Sequence, residues 1–322
     1  MSFVLPGLVA AAATLAILFL WLRRGEGMPL DHANSRSLHV GAVPRIGGIA
    51  MAGGIAAALP LLSFRHVPVP ILVAASGLFV LSLADDLRPL PVVPRLLGHL
   101  LAAGVAVWGL GMPLAMALPA VLALAWMTNL YNFMDGADGL AGGMTAIGFA
   151  AYAMAAASAA SPIAPILFAI CGAAAAFLAF NFPPAKVFMG DAGAIPLGFL
   201  AGALGLLGWQ DGIWPAWFPV LVFSPFIVDA TVTLWRRLLK GEKIWQAHRE
   251  HGYQRLILTG WSRRRLVWVA WGLMAATALT ALVARNVSST LQVGALLLWV
   301  AIYTGAWKVI DKRATHRNPD RT

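Results

Sequence analysis

"TNLYNFMDGADGLAGG", residues 128–143, lies between two apolar runs, 113–130 and 141–159, and sets Asn129, Asn132, Asp135 and Asp138 against their ends. An ionisable group at the centre of a bilayer costs about 2.5–3.5 kcal/mol on insertion scales. Two acids beside two amides therefore belong at a membrane surface, and the flanking runs read as membrane-crossing helices. Asn129, Asn132 and Asp135 recur at a spacing that lines one helical face, with Asp138 one turn beyond. Gly136, Gly139, Gly142 and Gly143 permit close backbone approach there.

The rest of the chain agrees. It is 60% hydrophobic and 11% charged over 322 residues, whereas a soluble domain carries about a quarter charged residues. Apolar stretches long enough to cross ~30 Å of hydrocarbon recur throughout. They fall near 3–22, 46–64, 68–84, 94–110, 113–130, 141–159, 163–181, 193–208, 215–235, 265–284 and 290–309. The expected fold is all-α: one polytopic integral membrane bundle over 1–322, with ten or eleven transmembrane helices and a long polar loop at 236–265. The first run lacks a basic leader and a cleavage site, so it reads as a retained span. Cys171 is the single cysteine, which excludes an intrachain disulfide and a thiolate cluster.

A net charge of +10 would suit a nucleic-acid partner, but topology explains it better. Assigning loops to alternate sides leaves only Arg65 and Arg285, of 23 Lys and Arg, on one face. Cytoplasmic loops collect Lys and Arg. The N-terminus is thus expected outside and the C-terminus inside, with no nucleic acid implied. Asp85, Asp86, Asp135, Asp138 and Asp191 fall on the inner side, and Asp211, among interfacial tryptophans, on the outer.

Singly, a loop-end Asp caps a helix or lies in a solvated turn. Several acids converging from "LADDLRPLPVVPR", the opening stretch and "NFPPAKVFMGDAGA" form a set too acidic to hold phosphate unaided, and suited to a divalent cation that in turn holds phosphates. Adjacent Asp85 and Asp86 face different ways on a helix. Asp191 leads into a helix whose N-terminus favours an anion. Phe188 can stack on a base or sit as an interfacial aromatic, and Lys186 can meet phosphate or snorkel. "RSLHVGAVPRIGG" offers Arg36, His39 and Arg45. In "RRLLKGEKIWQAHREHGYQRL", His248 and His251 have a spacing that would also suit metal, but Arg249 and Arg255 beside them favour phosphate or sugar. Asp229 lies inside the ninth run, as a structural partner or a functional acid.

In order along the chain, "PRIGG", "LADDL", "NLYNFMDGADGLAGG", "VFMGDAG" and "HREHGYQRL" resemble the polyprenyl-phosphate N-acetylhexosamine-1-phosphate transferases, the MraY/WecA type of glycosyltransferase family 4. The loop "AHREHGYQRLILTGW" resembles the branch that starts O-antigen or related surface glycans, and lacks the three consecutive histidines of the peptidoglycan-precursor enzymes. The resemblance implies a bacterial inner-membrane enzyme, active on its cytoplasmic face. It would move a sugar-1-phosphate from a UDP-N-acetylhexosamine to undecaprenyl phosphate, releasing UMP. Mg²⁺ is the implied cofactor, with Mn²⁺ able to substitute, and a homodimer is compatible. By resemblance, Asp85 and Asp86 serve the lipid phosphate and catalysis, and Asn132 and Asp191 hold the metal. Asp135 and Asp138 meet the nucleoside, Phe188 stacks on uracil, and the loop of His248, Arg249, His251 and Arg255 meets sugar and pyrophosphate; Asn129, His39 and Arg45 are further substrate-binding candidates. The rival readings are a transporter, whose sites would lie near the midplane on repeated halves, and a lipid-carrier-binding protein without catalysis.

Overall fold

Runs of Ala, Leu and Val in hydrocarbon must satisfy their backbone groups internally, so they form helices. The computed structural model describes residues 3–24, 30–32, 42–63, 66–243 and 248–317; Arg36 and His39 lie outside them. After α1 (Leu5–Arg24) come β1 (Leu30–His32) and β2 (Ala42–Pro44), which pair antiparallel with Asp31 opposite Val43. There follow α2 (Gly47–Ala58), α3 (Val69–Leu87), α4 (Val92–Gly109), α5 (Leu114–Phe133), α6 (Leu140–Ser158), α7 (Ala164–Asn181) and α8 (Asp191–Gln210). The chain continues through α9 (Trp217–Val222), α10 (Ser224–Leu239), α11 (Gly252–Leu258), α12 (Arg263–Ala284) and α13 (Ser289–Arg317). Among the described residues nine helices are long and apolar enough to cross a membrane: α1, α3 to α8, α12 and α13.

Two expected spans depart from that length, and each has a local cause. The run at 46–64 becomes α2 and a single 3₁₀ turn at Leu59–Leu61, with Pro60 inside the turn and Leu62 already extended. The run at 215–235 is not one helix. It breaks at Phe223, between α9 and α10, with Pro225 in the first turn of α10. Proline has no N–H to give and fits the start of a helix rather than its middle. The last helix is longer than its apolar run, continuing to Arg317, because "KVIDKRATHR" contains no breaker. The β1–β2 ribbon and α11 are small additions to an otherwise helical chain.

α6 and α8 are the most buried spans, and α13 the least. α8 packs on α3 and α5, α7 lies between α1 and α6, and α12 covers α6. The break at Phe223 is seated in an aromatic cluster in which Tyr131, Phe149, Tyr152, Phe218, Phe223 and Phe226 are fully buried. Tyr152 and Phe223 meet edge to face at 5.4 Å, and Tyr131 and Phe226 at 5.1 Å. Each buried phenol has a partner, as low dielectric requires: Tyr131 with Thr145 at 2.7 Å, and Tyr152 donating to the Ala201 carbonyl at 3.1 Å.

One backbone junction fixes the end of the bundle at which α2 and α8 begin. Phe188 donates its amide to Pro44 (2.8 Å), Gly47 to Phe188 (2.9 Å) and Gly48 to Met189 (2.8 Å). "PRIGG" and "VFMGDAG" are thus joined strand-fashion. A Cβ on Gly48 would collide with the Gly193 backbone, so only glycine lets α2 and α8 start side by side.

Candidate active site

The ends of α3, α4, α5 and α8 converge on a group of carboxylates. Asp85 and Asp86, in the last turn of α3, do face different ways. Asp85 accepts the Leu90 amide at 2.6 Å and the Arg95 Nη1 at 2.8 Å. Asp86 accepts the amides of Asp191 (3.1 Å) and Ala192 (2.9 Å), with the Arg45 guanidinium 3.8 Å away. The N-terminus of α8 does attract an anion, and in this structure that anion is the Asp86 side chain. Gly190 makes this approach possible. Its φ is +73°, and a Cβ there would lie 2.8 Å from Asp86 Oδ2.

Asp191 is more open, with its side chain 23% exposed against 7% for Asp85 and 3% for Asp86. Its Oδ2 accepts from Arg95 Nη2 at 3.0 Å. The Asn132 amide fits best with its nitrogen donating to Asp191 (3.2 Å) and its oxygen accepting from Arg95 (3.2 Å). Arg95 is thus the cation around which Asp85, Asp191 and Asn132 gather. Sequence reasoning passed over it, because a basic residue at an inner helix end is the ordinary expectation for any membrane protein. His99, one turn on, was missed as well. It is 2% exposed, its Nδ1 lies 3.1 Å from Asn129 Oδ1, and its Nε2 has no partner among the described residues. Asn129 is thereby turned toward α4, its Nδ2 donating to Ala125 at 2.7 Å.

Asp135, just past α5, is held well above the usual carboxylate range, first by burial and then by the charges of Asp191 and Asp86. Asp138 is buried and accepts the Ala185 amide at 3.1 Å, with Arg263 3.5 Å away. It therefore holds the loop that leads to Lys186 and Phe188. Phe188 is half-buried, fixed through its backbone to Pro44 and Gly47.

The long loop between α10 and α11 docks beside this group. The Tyr253 hydroxyl donates to the Phe133 carbonyl at 3.1 Å, and the His251 and Phe133 rings lie 6.2 Å apart. Asp229, left open by the sequence, accepts three bonds from the loop: His251 Nδ1 at 3.2 Å, the Gly252 amide at 2.9 Å and the Tyr253 amide at 3.1 Å. Arg255 pairs with Asp311 of α13 at 2.7 Å, as does Arg236 at 2.9 Å, and Arg236 stacks on Trp307. Arg249 is half-buried in the same loop.

The donor set at the helix ends is oxygen, from carboxylates and one amide. Among the described residues no three acids or imidazoles form a metal cage. Mg²⁺ takes one or two protein carboxylates and completes its shell with water and substrate phosphates, so Asp191 and Asn132 fit it.

Residues 69–208 match the profile described as Glycosyl transferase family 4. The chain is 30% identical over 316 residues to the phospho-N-acetylmuramoyl-pentapeptide-transferase of Moorella thermoacetica, covering 86% of this chain and 96% of the relative. It is 29% identical over 297 residues to the probable undecaprenyl-phosphate N-acetylglucosaminyl 1-phosphate transferase of Bacillus subtilis (strain 168), covering 85% and 81%. The decaprenyl-phosphate N-acetylglucosaminephosphotransferase of Mycolicibacterium smegmatis is 29% identical over 316 residues, covering 82% and 77%.

Proposed function

The chain belongs to glycosyl transferase family 4, and from that premise we propose that it transfers an N-acetylhexosamine-1-phosphate from a UDP-sugar to undecaprenyl phosphate. Transfer to a polyprenyl phosphate is the activity named for the relatives from Bacillus subtilis and Mycolicibacterium smegmatis. The products would be UMP and the first lipid-linked intermediate of a surface glycan such as an O-antigen. The site would face the cytoplasm, at the inner membrane, as the distribution of Lys and Arg indicates.

The observation that carries this reading is the cluster itself: three carboxylates and two guanidiniums at the mouth of four membrane helices, where a lipid phosphate and a soluble nucleotide can meet. An oxygen of the lipid phosphate attacks the phosphorus that bears the sugar. The bond from that phosphorus to the UMP oxygen breaks, and UMP leaves with the electron pair. The acceptor is already anionic at neutral pH, so the protein's work is positioning and charge neutralisation. Arg95 and Arg45 supply fixed positive charge toward the phosphates. Asp85, held by the Leu90 amide and Arg95, would take any proton left on the lipid phosphate. Asp191 and Asn132 would hold Mg²⁺, which when bound neutralises the diphosphate and stabilises departing UMP. Asp135 and Phe188 would meet the nucleoside, while Asp138 sets the loop that carries Phe188.

Purified protein, incubated with undecaprenyl phosphate and a panel of UDP-sugars, tests the reading. It should release UMP and yield a lipid heavier by one sugar-1-phosphate, both lost in excess chelator. No lipid product from any UDP-sugar would refute it.

A further inference from the structure

The geometry points to a binding site for the headgroup of an anionic phospholipid at Trp261, flanked by Arg265 of α12 and Arg313 of α13. It is built from residues that the carboxylate cluster does not use.

Two cations converge on one ring. The guanidinium carbon of Arg265 lies 4.4 Å from the centre of the Trp261 ring, and that of Arg313 lies 5.6 Å from it. Both arginines are exposed, and neither has a carboxylate partner among the described residues. Asp311, two positions before Arg313, is taken by Arg236 and Arg255. The Trp261 Nε1–H is buried and has no acceptor among the described residues, although buried polar groups are ordinarily paired. Guanidinium and indole nitrogens donate and never accept. Such a set calls for an anion whose oxygens are acceptors. The start of α12 adds to it: Ser262 caps this 22-residue helix by accepting the Arg265 amide, so the positive end of its dipole lies here.

What surrounds the arginines identifies the anion as a lipid. Trp268 and Val269 follow Arg265 by one turn of α12, and Val309 precedes Arg313 by one turn of α13. All three are exposed, and at those spacings each shares a helical face with its arginine. The basic pair therefore sits where an exposed apolar surface ends, with a tryptophan at the level that headgroups occupy. A phospholipid offers phosphate and ester oxygens to the donors, while its chains cover the apolar residues below. A soluble phosphate has no use for those residues. A zwitterionic headgroup brings an ammonium as well, and the nearby acid, Asp311, is already paired. An anionic phospholipid matches both halves of the surface.

Native mass spectrometry of the delipidated protein measures the affinity of the first lipid bound. Indole nitrogen-15 spectra of tryptophan-labelled protein in lipid discs, with Trp261 assigned through Trp261→Phe, show where it binds. Phosphatidylglycerol should bind about tenfold or more tightly than phosphatidylethanolamine, since each arginine at a membrane surface favours anionic lipid. The Trp261 indole resonance should move when discs of phosphatidylcholine are replaced by discs containing phosphatidylglycerol. Arg265→Gln combined with Arg313→Gln should bring phosphatidylglycerol down to the affinity of phosphatidylethanolamine and leave the Trp261 resonance unmoved between the two discs. Should the double variant fail to fold, the single variants test the same point, each losing about fivefold. Unchanged phosphatidylglycerol affinity in the folded variants, or a Trp261 resonance that ignores this lipid in the parent, overturns the proposal. Displacement of the first phosphatidylglycerol by excess inorganic phosphate would show a free-phosphate site and overturn the lipid assignment. Tighter binding of undecaprenyl phosphate than of phosphatidylglycerol would overturn it too, by making the site part of the acceptor's path.

Discussion

Asp86 holds the N-terminus of α8, its Oδ2 accepting the Ala192 amide at 2.9 Å across the bundle from α3. A second bond, from the Asp191 amide, fixes the carboxylate in plane with the first turn. One contact thus joins the Asp85–Asp86 pair to the acid expected to hold metal. Gly190→Ala should break it, since the residue sits at φ +73° and ψ 169°, a region that costs side chains about 1–3 kcal/mol. Both thermal stability and activity should fall together. Asp86→Asn should be milder for stability than Asp86→Ala, because one amide oxygen still accepts, and about 1 kcal/mol should separate the two. Thermal unfolding in detergent measures this.

The metal assignment makes a separate claim. Asp191→Asn should lower kcat/KM by about a hundredfold or more, and binding of Mn²⁺, followed by its paramagnetic signal, should weaken in step. Arg95→Gln leaves the oxygen donors in place, so it should cost activity without weakening Mn²⁺ binding. Equal Mn²⁺ affinity in Asp191→Asn and the parent would move the cation elsewhere.

The lipid and nucleotide halves should also separate. Asp85→Asn acts on the acceptor, so it should reduce kcat with little change in the donor KM. Phe188→Ala removes a stacking partner worth about 1–3 kcal/mol per base. It should raise the donor KM about tenfold or more and leave the lipid KM alone. Titrating each substrate against both variants distinguishes the pattern from its reverse.

The carboxylate cluster was legible because ionisable groups at the ends of apolar runs have so few bland explanations. Asp85 and Asp86 close one helix and Asp191 opens another, yet the cost of burying charge marks each separately. Arg95 carried no such mark. Inner-end arginines are what orientation demands, so its pairing with Asp85 and Asp191 is visible only in three dimensions. The same holds for Asp229, whose partners are 22 to 24 positions away, and for the bond that Asp138 accepts from the Ala185 amide. Helix existence followed hydropathy closely. The shortness of α2 and the break at Phe223 did not, although Pro60 and Pro225 were the residues to read.

pH offers a test of His248. Its folded pKa is lowered to about 4, first by burial and then by His251 and Arg237, from about 6.5 in the unfolded chain. Between those values the unfolded state binds more protons, so stability from this group is full above about pH 6.5 and is lost as pH falls toward about 4. The thermal midpoint of the parent should drop more between pH 7 and pH 5 than that of His248→Asn. Identical drops would show that His248 is not buried in the folded protein in solution.

Arg255 and Asp311 supply the last test, because the sequence suggests phosphate or sugar as a partner for Arg255, which lies 2.7 Å from Asp311. The same carboxylate takes both nitrogens of Arg236, at 2.9 and 3.1 Å, and Arg236 lies over the Trp307 ring. Asp311 therefore fastens α10 and α11 to the C-terminal part of α13, beyond its apolar run. Its side chain is 41% exposed, so each pair is worth only about 0.5–1 kcal/mol to folding. The effect on the placing of the His251 loop should be larger than the effect on stability, since α11 follows directly from His251. Asp311→Ala should slow turnover of the donor at least as much as Arg255→Ala, since it frees Arg236 as well. The double variant should be little worse than Asp311→Ala alone, because the Arg255 contact is already gone there. If Arg255 instead met the diphosphate, its loss would raise the donor KM and add fully to the loss of Asp311. Steady-state constants for the two single variants and the double variant, with one donor and one acceptor, decide between these outcomes.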